Sequence, residues 1–103
     1  VVAIREIGLD FYRNYAPHNR QVDAFEAQLQ LATKVSKPVI VHVRDRQGST
    51  AAYDMAFGML KKWQAQCVQS GFVQRSGSLG VLHCYSGDLA RARKAIELGF
   101  YLA

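Results

Sequence analysis

Three apolar runs recur along this 103-residue chain, and each ends on a residue able to bind a divalent cation. Glu6 follows Val1-Val2-Ala3-Ile4-Arg5, His42 follows Pro38-Val39-Ile40-Val41, and His83 follows Leu79-Gly80-Val81-Leu82. The separations are 36 residues (6 to 42) and 41 residues (42 to 83). One strand, one helix and two loops of a parallel α/β fold consume about that much chain. In such folds the carboxyl ends of the strands open on one face, where functional residues gather. A carboxylate and two imidazoles meeting there have the composition of a metal site.

The segments between the runs carry helical patterning. From Asn19 to about Ser36, Val22, Phe25, Leu29, Ala32 and Val35 recur at steps of three or four, which predicts a helix with one face on a sheet. Asn19 is placed to cap its start, and Pro38 marks its end. A second helix is predicted from a Ser49 or Thr50 cap to about Gln69, with Ala52, Met55, Met59, Leu60, Trp63 and Cys67 inward. A third opens at Ser86-Gly87-Asp88, turns Leu89, Ala92, Ala95, Ile96 and Leu98 inward, and closes on Gly99. The Gly-, Ser- and Gln-rich stretch 69–78 reads as a loop. With strands at 1–9, 38–43, 79–84 and from Phe100, the order is β-α-β-α-β-α-β, an α/β fold with a parallel sheet. A small doubly wound domain fits this length, whereas a closed (β/α)8 barrel needs about 250 residues. The sequence starts and stops inside apolar runs, so the expectation is one partial domain over 1–103, cut from a larger one.

The net charge of +5 suits a phosphate-rich partner, although surface lysines and arginines produce such a balance in many proteins. Cys67 and Cys84 form neither a CxxC pair nor a disulfide framework, so reduced thiols and a cytoplasmic location are expected. No apolar stretch approaches the roughly 20 residues of a membrane span.

Alternation along the first run places Ile4, Glu6 and Gly8 on one face of the strand and Arg5 and Ile7 on the other. His42 shares a face with Ile40, and His83 with Val81. A buried imidazole or a salt-bridged glutamate accounts for any of the three taken singly. In one register over three repeats, a divalent metal held by Glu6, His42 and His83 accounts for them better. A carboxylate between imidazoles also suits two metals about 3.5–4 Å apart. Arg44, two residues beyond His42, is placed to pair with a phosphate or, alternatively, with Asp45. Ser86, at the end of the third run, can meet an anion at a helix start or simply cap it. Asp10, Tyr12 and Arg13 lie on the loop after the first strand, where they can reach substrate. Lys61-Lys62-Trp63 resembles an aromatic-basic patch, but the outside of a helix packed on a sheet explains it more simply.

Linked motifs now point to a family. Glu6-Ile7-Gly8-Leu9-Asp10-Phe11-Tyr12-Arg13, Gln21 through Ala32, Pro38-Val39-Ile40-Val41-His42-Val43-Arg44-Asp45, Val81-Leu82-His83-Cys84-Tyr85-Ser86-Gly87 and Leu98-Gly99-Phe100-Tyr101 closely resemble the TatD family. These are metal-dependent deoxyribonucleases among the amidohydrolase-like TIM barrels. The resemblance implies a partial (β/α)8 TIM barrel covering about strands four to seven with their helices. It also implies a hydrolase of DNA phosphodiesters using a metal-activated water. Glu6 would be the metal-bridging, catalytic carboxylate, His42 and His83 further ligands, and the cofactor two divalent ions, Mg, Mn or Zn. Arg44, Asp10, Tyr12 and Ser86 would contact the DNA. Some relatives act as D-aminoacyl-tRNA deacylases, so that activity is the alternative, and an inactive half-barrel serving in binding or assembly is another. The family's His-x-His and a further Asp fall on strands outside this sequence, leaving three of about six ligands here. Weak metal binding, no activity of this stretch alone and self-association through open sheet edges are expected. Arg5 stands where the family usually has glycine, and alternation turns it toward the helix layer, an unfavourable place for a cation.

Overall fold

The computed structural model describes residues 3–13, 16–71, 79–84 and 89–102. Strand β1 (Ile4–Asp10) leads into α1 (His18–Val35), β2 (Val39–Arg44), α2 (Ala51–Ser70), β3 (Gly80–Cys84), α3 (Leu89–Leu98) and β4 (Phe100–Leu102). All neighbouring strands pair in parallel, and the sheet order is β1-β2-β3-β4. The α/β reading and the four strands therefore hold. Crossovers between parallel strands share one hand. Strands laid down in sequence order thus place every connecting helix on the same side. A doubly wound sheet reverses its order partway, which this one does not.

The core follows from that one-sided winding. Ile7, Leu9, Val39, Val41, Val43, Leu82 and Phe100 are buried with Phe25, Leu29 and Ala32 of α1, Leu60 and Trp63 of α2, and Ala95 of α3. The alternate strand residues Gly8, Asp10, Ile40, His42, Arg44, Val81 and His83 are only partly covered. Trp63 brings its indole N–H into the interior, and Thr33 Oγ1 accepts it at 2.7 Å while bonding the Leu29 carbonyl at 3.2 Å. Its burial makes Trp63 a core residue, not part of a basic patch.

Several local expectations are corrected. Helix α1 starts one residue before Asn19, with extended Pro17 (φ −55°, ψ 147°) at the N-cap; its carbonyl receives the Arg20 and Gln21 N–H groups. Ser36 ends the helix in the left-handed conformation (φ 54°). Thr50 is the N-cap of α2, but its hydroxyl does not cap. The Ser49 hydroxyl accepts the Ala51 N–H at 3.3 Å, as the Ser49 alternative expects, and the Asp45 carboxylate adds to the cap by accepting the Ala52 and Tyr53 N–H groups at 2.8 and 3.1 Å. Val35, Met55 and Ile96 sit at the margins of their helical stripes and are exposed, whereas Tyr53 and Ala56 are buried. Gly99 closes α3 as expected, with φ 97° and its N–H on the Ile96 carbonyl.

The start of β1 departs from simple alternation. Ile4 pairs with Val39 and Ile7 with Val41, so Arg5 and Glu6 together oppose Ile40 in a β-bulge. The extra residue returns Ile4 to the core side, where it packs on the buried cluster instead of sharing a face with Glu6. Arg5 is consequently exposed and not driven into the helix layer.

Two glycines permit the strands to approach. Gly8 (φ 133°) faces the His42 carbonyl and Gly80 (φ 146°) the Val39 carbonyl, each so closely that a Cβ would overlap that oxygen. Among the described residues no helix is long and apolar enough to cross a membrane.

Gly80→Ala is expected to lower the urea-unfolding free energy by more than about 3 kcal/mol, since backbone must move on both strands. Gly58→Ala, within α2 with open space around it, should raise it by about 0.5–1 kcal/mol. Thr33→Val leaves the Trp63 N–H buried without its acceptor and should cost about 1–3 kcal/mol in the same measurement.

Candidate metal centre

The sheet face away from the helices gathers most of the residues singled out in the sequence. His42 and His83 are register partners on β2 and β3, so their backbones lie about 4.8 Å apart with side chains on one face. Gly8 is the register partner of His42 on β1. It lies between Glu6 and Asp10, two residues to either side, and all three line the same cavity. Glu6, Gly8, Asp10, Arg13, Gln21 and His42 line one cavity of about 360 Å³. Glu6 is exposed within it.

Asp10 organises this cavity. Its Oδ2 lies 3.0 Å from His42 Nε2, and its Oδ1 accepts the N–H groups of Tyr12 at 3.1 Å and Arg13 at 2.8 Å. Its own N–H donates to Gln21 Oε1 at 2.8 Å, while Gln21 Nε2 donates to the Ala16 carbonyl at 2.9 Å. The β1–α1 loop is thus tied at both ends. Burial alone would raise the Asp10 pKa. The Arg13 N–H, the hydrogen bond and charge of His42, and the Tyr12 N–H outweigh it, and the net direction is downward. A carboxylate held charged accepts only, so His42 Nε2 carries a proton and donates it. In neutral imidazole the lone pair then sits on Nδ1.

Arg44 and Tyr12 belong to a different cavity, at the end of β2, and not to the one holding Glu6 and His42. The Arg44 guanidinium stacks 3.9 Å above the Tyr12 ring; Asp45, its other candidate partner, caps α2 instead. Among the described residues, no three His, Cys, Asp or Glu side chains stand close enough together to enclose a metal ion. Glu6 and His42 share a cavity, and His83 adjoins His42 in the ladder. Ser86 and the side chain of Cys84 lie outside the described residues.

Sequence reasoning missed two roles. Asp10 was grouped with substrate contacts, although its place four residues after Glu6 on one strand face aims it at the same neighbour. The following Phe11-Tyr12-Arg13 suits the turn an Asp side chain makes with the next N–H groups. Asp45 enters the sequence reading only as the alternative partner of Arg44, and the tertiary path of α2 reveals it as a cap.

The profile of the TatD related DNase family matches residues 1–103. The chain is 35% identical over 102 residues to the "3'-5' ssDNA/RNA exonuclease TatD" of Klebsiella pneumoniae (strain 342), covering 99% of this chain and 33% of that protein. It is 33% identical over 103 residues to the "Uncharacterized metal-dependent hydrolase YabD" of Bacillus subtilis (strain 168), covering 100% of this chain and 34% of that one. It is likewise 35% identical over 103 residues to the "Uncharacterized metal-dependent hydrolase YcfH" of Escherichia coli (strain K12), with coverages of 100% and 33%. The chain therefore spans about a third of the length of the curated relatives it matches. With the family profile matched from end to end and the uncovered sheet face carrying Glu6, His42 and His83, the chain belongs to the TatD-related DNase family.

Proposed function

We propose that the protein is a metal-dependent nuclease that hydrolyses nucleic-acid phosphodiesters, with Glu6, His42 and His83 among its metal ligands. The observation that carries this reading is the Asp10–His42 hydrogen bond beside Glu6 on the uncovered face. Metal-ligating histidines characteristically donate their second ring N–H to a carboxylate, which fixes the tautomer and raises ligand basicity. Here that donation fixes the orientation of the His42 ring beside Glu6. The relatives' names, an exonuclease on single-stranded DNA and RNA and two metal-dependent hydrolases, support the same chemistry.

The donor set of one carboxylate and two imidazoles fits divalent Mn or Zn, and Mg where water completes the shell. Two such ions are proposed, and Glu6, His42 and His83 would be this chain's part in holding them. When bound, such an ion supplies a Lewis acid and lowers the pKa of a water. The protein's own part is to hold and orient. Asp10 keeps the His42 ring in one tautomer and fixes the loop bearing Tyr12. Tyr12 in turn holds the plane of Arg44, whose in-plane N–H donors match a phosphate bidentately. Ser86 remains a proposed phosphate contact. DNA is the proposed substrate and the cytoplasm the proposed location, in keeping with the buried thiol of Cys67.

Manganese titration by calorimetry tests the ligand set. Glu6→Gln, His42→Gln and His83→Gln should each weaken binding at least about tenfold, and Asp10→Asn by about 10–100-fold with unchanged circular dichroism. Unaltered affinity across all four overturns the assignment. In activity assays of the full-length protein, cleavage of labelled single-stranded DNA should stop on addition of EDTA and be absent in Glu6→Gln.

Asp10 also sets a pH dependence. Its folded-state pKa lies below the unfolded value of about 3.9. Its contribution to stability is therefore fully present above that pH and is lost as the pH falls through the lower, folded value. The stability gap between wild type and Asp10→Asn should shrink progressively below about pH 4 in urea unfolding.

A further inference from the structure

A second cavity of about 530 Å³ lies at the carboxyl end of β2, lined among others by Tyr12, Arg44, Arg46, Thr50, Tyr53 and Arg91. Four segments converge on it: the β1–α1 loop, the end of β2 with the loop after it, the start of α2, and α3. Among the described residues, three arginines and one carboxylate, Asp45, line it, and the Ala52 and Tyr53 N–H groups engage that carboxylate. That same cap occupies the amino end of α2, so the positive character of the cavity comes from arginine side chains and not from the helix terminus.

Two of the arginines lie over tyrosine rings. Arg44 lies 3.9 Å over Tyr12 and Arg91 lies 4.0 Å over Tyr53. Stacking fixes the plane in which the N–H donors of a guanidinium lie, which is the preorganisation that planar phosphate recognition requires. Tyr53 is buried beneath Arg91, whereas Tyr12 is 50% exposed. Tyr12 can therefore present ring surface to a further planar group. An exposed aromatic ring beside a cluster of arginines is the combination that single-stranded nucleic acids meet: a stacking platform for a base with cations for its phosphate. The cavity also exceeds what one phosphate needs and falls within the size of small-molecule sites. His42 and Arg44 are two residues apart on one strand, about 6.6 Å, so the cavity adjoins the candidate metal centre.

We infer that this cavity is a nucleotide subsite, in which Tyr12 stacks a base and Arg46 and Arg91 hold a phosphate next to the one being cleaved. The inference rests on the nuclease reading and adds to it the recognition of a flanking nucleotide of a single strand.

The test is fluorescence anisotropy with labelled oligothymidylate, in EDTA so that metal plays no part, over a series of salt concentrations. The Arg46→Gln/Arg91→Gln double variant should bind at least about fivefold more weakly, and the slope of log K against log salt should fall by about 0.7 for one lost phosphate contact. Arg46→Gln alone, an exposed position remote from the core, should show the same direction and guards against misfolding caused by uncovering Tyr53. Tyr12→Leu should weaken oligothymidylate binding about tenfold, and by several-fold more than it weakens binding of an abasic oligomer of equal length. Wild-type affinity and slope in the arginine variants would overturn the subsite while leaving the nuclease reading intact. Displacement of the oligonucleotide by equimolar inorganic phosphate would overturn it in favour of a small-anion site. No wild-type binding of the oligonucleotide at low salt would overturn the subsite and count against the nuclease reading as well.

Discussion

One geometric constraint shapes this molecule: parallel strands laid side by side in sequence order, with all crossovers of one hand, cover a single face of the sheet. Hydrophobic burial is thereby concentrated on one set of alternate residues. The other set is left to chemistry. Val41 and Val43 are buried while His42 and Arg44, interleaved with them, are partly covered. The same alternation that builds the core selects which side chains the open face carries. Packing and function are therefore two readings of one periodicity.

On the uncovered face, one carboxylate joins otherwise separate parts. Asp10 reaches His42 through one oxygen and the Tyr12 and Arg13 amides through the other. Tyr12 then supports Arg44. Position is transmitted from an imidazole on β2, across β1, through a loop and back to β2. The two cavities on either side of this connection hold different chemistry: carboxylates and imidazole in one, mostly guanidinium and phenol in the other. Gln21 anchors the loop from α1, so a helix on the covered face also helps to set the geometry of the open one.

Much of this was legible in the sequence because it depends on period and spacing. The β-α order, the parallel pairing and the His42–His83 alignment all follow from where apolar runs end. Cap chemistry was less legible. Asp45 lies six residues before the first residue of α2 and reaches it only because the chain folds back after β2, which no local pattern records. Arg5 was misplaced because a bulge adds one residue to the count, and alternation cannot announce its own interruption. Arg46 and Arg91 belong to no motif; they are far apart in sequence, and tertiary packing alone brings them to one cavity.

The bulge at Arg5 and Glu6 has a consequence beyond relieving Arg5. From Ile7 to Asp10, β1 is locked to β2 residue for residue, while Ile4 holds its own separate registration against Val39. The extra residue makes the two ends of the strand independent in phase. Gain or loss of a residue at the bulge would be absorbed there, leaving the Gly8–His42 pairing undisturbed. Glu6 is the exception, because it sits on the bulge itself. Of the three candidate ligands, Glu6 alone lies outside the one-to-one ladder that pairs His42 with Gly8 and His83.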